Sequence, residues 1–446
     1  MFVSFSHSPR PLSLNARGTP NLTVTAGAFS LIFLAALAAT LAARLWLSNR
    51  QTAHVVAHRD AVPVAFESSI DIAAHRKAAD YTVAKQAELR IETLADNALL
   101  LLLTLGGGLA LIFGWTERFD VSPLTRDVLL LTALAVVSGI VSLPFSWWHI
   151  FRLEERFGFN RTTWRLWLTD LAKGVALAIV LGLPLTALAL WLMRSTGALW
   201  WLWVWLAWIA FQLLMLVLYP TVIAPLFNKF SPLPPGPARE RIEQLLTRCG
   251  FAARGLFVID GSKRSGHGNA YFTGFGRARR VVFFDTLLER LAPDEVEAVL
   301  AHELGHFKLR HVVKRVAWTA LVSLALLALL AWLATMPWFY AGLGIPATAV
   351  PAAMTRPGVA LALFMLALPV FTFALHPLSA LYSRKHEFEA DVFAAENASA
   401  TSLSHALVKL YEDNASTLTP DPLHSAFYDS HPPAALRVAR LAQLAA

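Results

Sequence analysis

Seven apolar runs punctuate this chain, at Ala26–Leu47, Leu94–Trp115, Val128–Ile150, Leu171–Leu192, Leu199–Tyr219, Val316–Met336 and Gly358–Leu378. Each reaches the roughly 20 residues that a helix needs to cross a bilayer. Polar sequence separates them unevenly, and the one long polar stretch, Thr221–Arg315, lies between runs five and six. The pattern predicts a mainly α, multi-pass membrane protein with seven transmembrane helices and a small cytoplasmic α+β portion carrying a short β-sheet. It divides the chain at the fifth run: residues 1–220 hold spans one to five, and residues 221–446 hold the polar stretch with spans six and seven. With 56% hydrophobic and 15% charged residues and a mean hydropathy of +0.52, an ordinary soluble domain is excluded.

Details within the runs carry smaller expectations. Gly106-Gly107-Gly108 predicts a place where a neighbouring helix packs closely. The cluster from Trp200 to Trp208 reads as an interfacial anchor, and Arg44 and Lys173, near span ends, as snorkelling cations. The first run follows Arg10 and Arg17 as a secretion signal would. It is long for that role and has Arg44 and Arg50 at its far end, so it is expected to stay as an anchor.

An odd number of spans puts the two termini on opposite sides, and the cations choose the side. Of the 38 Lys and Arg, six (Arg10, Arg17, Arg118, Arg126, Arg194 and Arg356) lie in loops on the N-terminal side, and Arg44 and Lys173 lie inside spans. The remaining 30 are on the opposite side, including Arg152, Arg156, Arg161 and Arg165 in the short loop after span three. Excess Lys and Arg mark cytoplasmic loops, so that side is expected to be cytoplasmic, and the pI of about 9.8 records topology. No basic soluble domain with interleaved aromatics is present, which argues against nucleic acid as a partner. The single Cys249 rules out an internal disulfide and a thiolate metal site, and reads as a buried apolar residue.

Chemistry concentrates just before span six, in His302-Glu303-Leu304-Gly305-His306. On a helix, residues i and i+4 share a face, so both imidazoles can reach one Zn2+, and Glu303 lies beside them as a general base. Pro293 suits the first helical position, Asp294, Glu295 and Glu297 suit the N-terminal end, and Val296, Val299, Leu300, Leu304 and Phe307 form an apolar face. Chance alone produces this five-residue pattern in roughly one chain in sixty or seventy of this length, so a third ligand is needed. Glu387, His386 and Glu389 compete for that place after span seven. Only Glu387 finds a carboxylate one turn on, Asp391, able to hold a ligand histidine by its other ring nitrogen. The metal is therefore expected at the cytoplasmic membrane face, where the ends of two spans meet.

Within the polar stretch, Leu256–Asp260 and Val281–Asp285 read as short strands and Asn269–Phe272 as a third extended piece. Metalloproteases commonly hold the substrate backbone as an added strand. Asn269, Ala270 and Tyr271 are the candidate edge, although an ordinary glycine-flanked hairpin fits the segment equally well. His431, in Ser430-His431-Pro432-Pro433, is either an electrophile at the metal or a polar residue before a proline turn.

These segments, with Phe157-Gly158-Phe159-Asn160, Ala224-Pro225-Leu226-Phe227-Asn228-Lys229-Phe230, Ser262-Lys263-Arg264-Ser265, Phe284-Asp285-Thr286-Leu287-Leu288 and the Glu387–Asp391 stretch, make the chain resemble the type I CAAX prenyl proteases over nearly its whole length. The resemblance implies seven transmembrane helices around a large water-filled chamber with a zinc site at one end. It implies one Zn2+ per chain held by His302, His306 and Glu387, with Glu303 as the catalytic base. Asp391 would be a proton donor or a support for a ligand, His431 would stand near the scissile carbonyl, and Asn269 would contact the substrate backbone. The implied partners are membrane lipids and a peptide or protein substrate whose C-terminal CAAX motif carries a prenylated cysteine and loses its last three residues. Other readings are a membrane quality-control protease of loose sequence preference and, from another class, a transporter or scaffold without catalysis. An intramembrane protease of the site-2 type would bury the motif in an apolar span, whereas Lys308, Arg310, His311, Lys314 and Arg315 follow it here.

Overall fold

A computed structural model describes residues 24–251, 255–273 and 280–445; the N-terminal Arg10 and Arg17 lie outside them. Six of its helices are long and apolar enough to cross a membrane, and a seventh span results if one bent pair is counted. The first four unbroken spans, Ala26–Ala57, Pro123–Glu154, Trp164–Ser195 and Gly197–Phe227, bury at most 11% of their most apolar stretch. They face lipid around a core to which Phe33, Leu130 and Leu363 contribute fully buried side chains. The last span is different. It starts at Pro357, is half buried, and continues as helix through Asn397, so the helix that begins in the apolar stretch also carries Glu387 and Asp391.

The bent pair is the second span. Helix Ile72–Leu103 stops at Thr104, and Gly108–Thr116 resumes at an angle of 52°. Gly106-Gly107-Gly108 is thus a break, where a site of close helix packing was expected. Gly107 sits at φ +78°, a left-handed conformation that costs a glycine nothing. The Lys173 Nζ reaches the end of a neighbouring span and donates to the carbonyl of Leu226 at 2.7 Å.

The polar stretch folds on a four-stranded sheet in the order β1-β2-β4-β3, where β1 is Phe230–Pro232, β2 Gly255–Ile259, β3 Ala270–Thr273 and β4 Arg280–Phe284. Three strands match expectation to within a residue or so; β1 was not foreseen, being three residues long and ending in proline. β2 and β4 run parallel, with Leu256 opposite Val281, and β3 lies antiparallel to β4 at the edge of the sheet. The sheet and the helices Pro237–Arg248, Pro293–Lys308 and Ala400–Asp413 share one core, which includes Ile242, Leu245, Phe283, Leu300 and Leu403. Cys249 only borders that core, half-buried, with Sγ 3.6 Å from Asn397 Oδ1.

Several of the sequence motifs act as struts between this unit and the membrane helices. Arg264 makes a bidentate pair with Asp170 (2.8 and 3.0 Å) and also donates to Asn228 Oδ1 and the Phe227 carbonyl. Asn160 bridges to Ser265. A planar guanidinium with five donors suits such a junction, because one side chain satisfies a carboxylate and a helix end together.

Candidate active site

Helix Pro293–Lys308 begins as its sequence predicts. Pro293 occupies the first turn, Glu295 accepts from the Ala292 N–H at 2.8 Å, and Lys409 pairs with the same carboxylate at 2.7 Å. The helix is pinned at that end, and its polar face presents His302, Glu303 and His306. It lies against helix His376–Asn397, and the contact is unusually close at Gly305. A Cβ built there would stand 3.1 Å from both Ala390 Cα and Phe393 Cβ. Glycine at this position lets the two backbones approach until Glu387 reaches the two histidines.

The three side chains converge. His302 Nε2 and His306 Nε2 are 3.2 Å apart, and each lies 3.4 Å from a Glu387 carboxylate oxygen. A tetrahedral zinc with bonds of about 2.0–2.1 Å separates its ligand atoms by roughly 3.3–3.4 Å, so the residues fit that ion. Glu387 Oε2 is, besides, a buried oxygen without a hydrogen-bond partner among the described residues, as expected of an atom meant for a cation.

The ligand atoms are held from behind. His302 Nδ1 lies 2.9 Å from Asp391 Oδ1, and Arg437 grips both oxygens of Asp391 at 2.5 and 2.9 Å. His306 Nδ1 lies 3.0 Å from His311 Nδ1, whose Nε2 is 2.9 Å from Glu389 Oε2. A cation on His306 Nε2 leaves the proton on Nδ1, so His306 donates to His311 Nδ1, and His311 then donates from Nε2 to Glu389. The His386 ring stacks on His311 at 4.0 Å and fixes its plane. Glu389 thus has a place at the site, behind His311 and His306.

Neither Arg437 nor His311 was singled out from sequence. Arg437 reads as a surface cation on the amphipathic helix Ala434–Ala445. His311, five residues after His306, would point about 140° away on a continuous helix. Arg310, at φ +58°, breaks the helix and lets a new one start at His311, which returns the ring to the site.

Glu303 opens onto a cavity of about 650 Å3 together with His302, His431, Asn269 and Ala270. Burial raises the pKa of Glu303, with His302 and His306 opposing, and a raised pKa makes a carboxylate a stronger base. For His302, burial works against the charge, but the carboxylates of Asp391 and Glu387 beside it outweigh that and hold the ring up to about 9; a metal ion must displace this proton. His431 Nε2 is 3.4 Å from Glu387 Oε2. Its ring is open to the cavity yet walled by protein, which lowers its pKa despite the attraction of Glu387 and keeps it neutral with an N–H to donate. Tyr271, next along β3, turns its ring to Phe284 and leaves only backbone for the role expected of it. Asp391 is 1% exposed with both oxygens engaged, a geometry that suits the support of a ligand and leaves no path for donating a proton.

Two family models cover most of the chain: the N-terminal region of CAAX prenyl proteases, described as five membrane helices, over residues 51–229, and peptidase family M48 over residues 234–445. CAAX prenyl protease 1 of Saccharomyces cerevisiae is 37% identical over 332 residues, spanning 72% of this chain and 73% of the yeast protein. The Arabidopsis thaliana homolog is 36% identical over 71% of this chain and 74% of its own length. The human homolog is 31% identical over 74% and 78%. The crystal structure of S. mikatae Ste24p superposes with a TM-score of 0.85 at 31% identity, covering 93% of this chain and 99% of that one.

Proposed function

The chain belongs to the membrane-embedded CAAX prenyl proteases of peptidase family M48, zinc metalloendopeptidases, and from that premise we propose that it removes the C-terminal tripeptide of polypeptides ending in a prenylated CAAX motif, at the cytoplasmic face of its membrane. The observation that carries the site assignment is the convergence of His302, His306 and Glu387 at tetrahedral spacing, with Glu303 beside them in one cavity.

In this reading His302, His306 and Glu387 hold one Zn2+ per chain. Zinc supplies Lewis-acid polarisation of the scissile carbonyl and acidifies water toward a pKa of about 7. Glu303 takes a proton from the attacking water as its oxygen bonds to the carbonyl carbon. It returns that proton to the amine nitrogen as the C–N bond breaks. His431 donates its Nε2–H to the developing oxyanion. Asp391, clamped by Arg437, and His311, backed by Glu389, hold the two imidazoles in their ligating tautomers. Asn269 and Ala270, at the start of edge strand β3, hold the substrate backbone as an added strand.

The test separates binding from chemistry. Glu303→Gln keeps size and shape but removes the base, so the purified variant should retain one zinc per chain while cleavage of an S-farnesylated CAAX peptide falls by at least about a hundredfold. Wild-type turnover in that variant, or full zinc occupancy in Glu387→Ala, would overturn the assignment.

A further inference from the structure

Resting on that reading, we infer that Lys85 binds the free C-terminal carboxylate of the substrate and so sets the distance from the chain end to the scissile bond. The cavity in front of the metal ligands has two Lys or Arg side chains in its lining, Arg437 and Lys85. Arg437 is committed: it is buried and paired with Asp391, with Glu387 at 3.8 Å. Lys85, on helix Ile72–Leu103, is exposed, and no carboxylate lies within 4.0 Å of its ammonium among the described residues. Its contact is the Tyr81 ring, 5.1 Å away, and the Tyr81 hydroxyl is itself turned to Glu154. Beside Lys85, the Gln86 amide Nε2 is taken up by His424 Nε2 at 3.3 Å, so Lys85 is the donor this wall leaves free.

The direction of the substrate brings its end to that wall. The cavity lining takes in Gly268, Asn269 and Ala270, so the cavity lies at the N-terminal end of β3. A substrate with three residues beyond the scissile bond puts those three inside and keeps the rest of its chain outside. It must therefore run antiparallel to β3, with its C-terminus passing Asn269 toward Gly268 and the Tyr81–Gln86 face. Three extended residues carry the chain end about 10 Å from the scissile bond, away from the metal ligands and along the cavity whose lining includes Lys85. An ammonium facing a terminal carboxylate there makes a charge-assisted hydrogen bond in a confined site. It also opposes binding of internal segments, which bring no such charge.

The experiment compares an S-farnesylated CAAX peptide bearing a free carboxylate with the same peptide as its C-terminal amide, using the full-length zinc-loaded protein in detergent. Wild type should favour the acid by roughly ten- to a hundredfold in kcat/KM. Lys85→Gln should bring the acid-to-amide ratio close to one, and Lys85→Arg, which keeps the charge, should retain most of it. Equal cleavage of acid and amide by wild type, or an unchanged ratio in Lys85→Gln, overturns the role of Lys85 and leaves the protease reading standing. If wild type cleaves neither peptide, the protease reading fails, and this inference fails with it.

Discussion

At the residue scale, the two histidines proposed as zinc ligands are each held by a different kind of partner. His302 leans on a buried carboxylate that an arginine neutralises, and His306 leans on a second histidine that ends in the half-exposed Glu389. Both partners leave Nε2 free and fix the ring, and such contacts are worth about ten- to a hundredfold in metal affinity. His311→Ala removes the acceptor for His306 Nδ1–H and opens a gap beside His386. We expect zinc to bind about ten- to a hundredfold more weakly, measured by competition with a chromophoric chelator. Glu389→Gln, which keeps shape and a hydrogen-bond acceptor, should lose less. Equal affinity in His311→Ala and wild type would show that His306 needs no such support.

At the element scale, the site depends on how closely two helices meet. Leu304, fully buried, anchors helix Pro293–Lys308 in the core around the sheet, and Gly305 is the surface on which helix His376–Asn397 rests. Overpacking a tight contact costs about 1–3 kcal/mol and moves backbone. Here the movement would pull Glu387 away from the two histidines. Gly305→Val should therefore lose zinc affinity by more than about tenfold while far-ultraviolet circular dichroism stays that of a helical protein. Unchanged zinc affinity would mean the helices can separate without disturbing the ligands. The triple glycine belongs to the same scale. Its apolar composition made the second span legible as one run, but the left-handed turn at Gly107 that bends it is a conformation, and composition does not encode an angle.

At the scale of the whole molecule, the distribution of charge and its pairing point the same way. On the side with few cations, Arg126, Arg194 and Arg356 are paired with Glu117 and Asp127. The cation-rich side holds His302, His306 and Glu387, which is why the proposed cytoplasmic orientation places catalysis there. Single cysteines at Lys263 and Thr355, both exposed, test it in a Cys249→Ser background. A membrane-impermeant thiol reagent applied from outside the cytoplasm should label position 355 and spare position 263; the reverse pattern overturns the orientation and the route of substrate entry.

Local pattern was enough for the spans and for the HExxH helix with its proline start and acidic first turn, because helix periodicity, terminal preferences and hydrophobic length are properties of neighbouring residues. It also narrowed the third ligand to Glu387, since a carboxylate and its support share one helix face. What only the tertiary structure decided is everything that depends on two distant elements meeting. Arg437 became the clamp on Asp391 because the C-terminal helix packs across the site, and His311 returned to His306 through one left-handed residue. Lys85 came to line the cavity because a helix early in the chain, Ile72–Leu103, contributes to its wall. Charge and hydrogen-bonding capacity are written in the sequence, but the partner that uses them is chosen by packing.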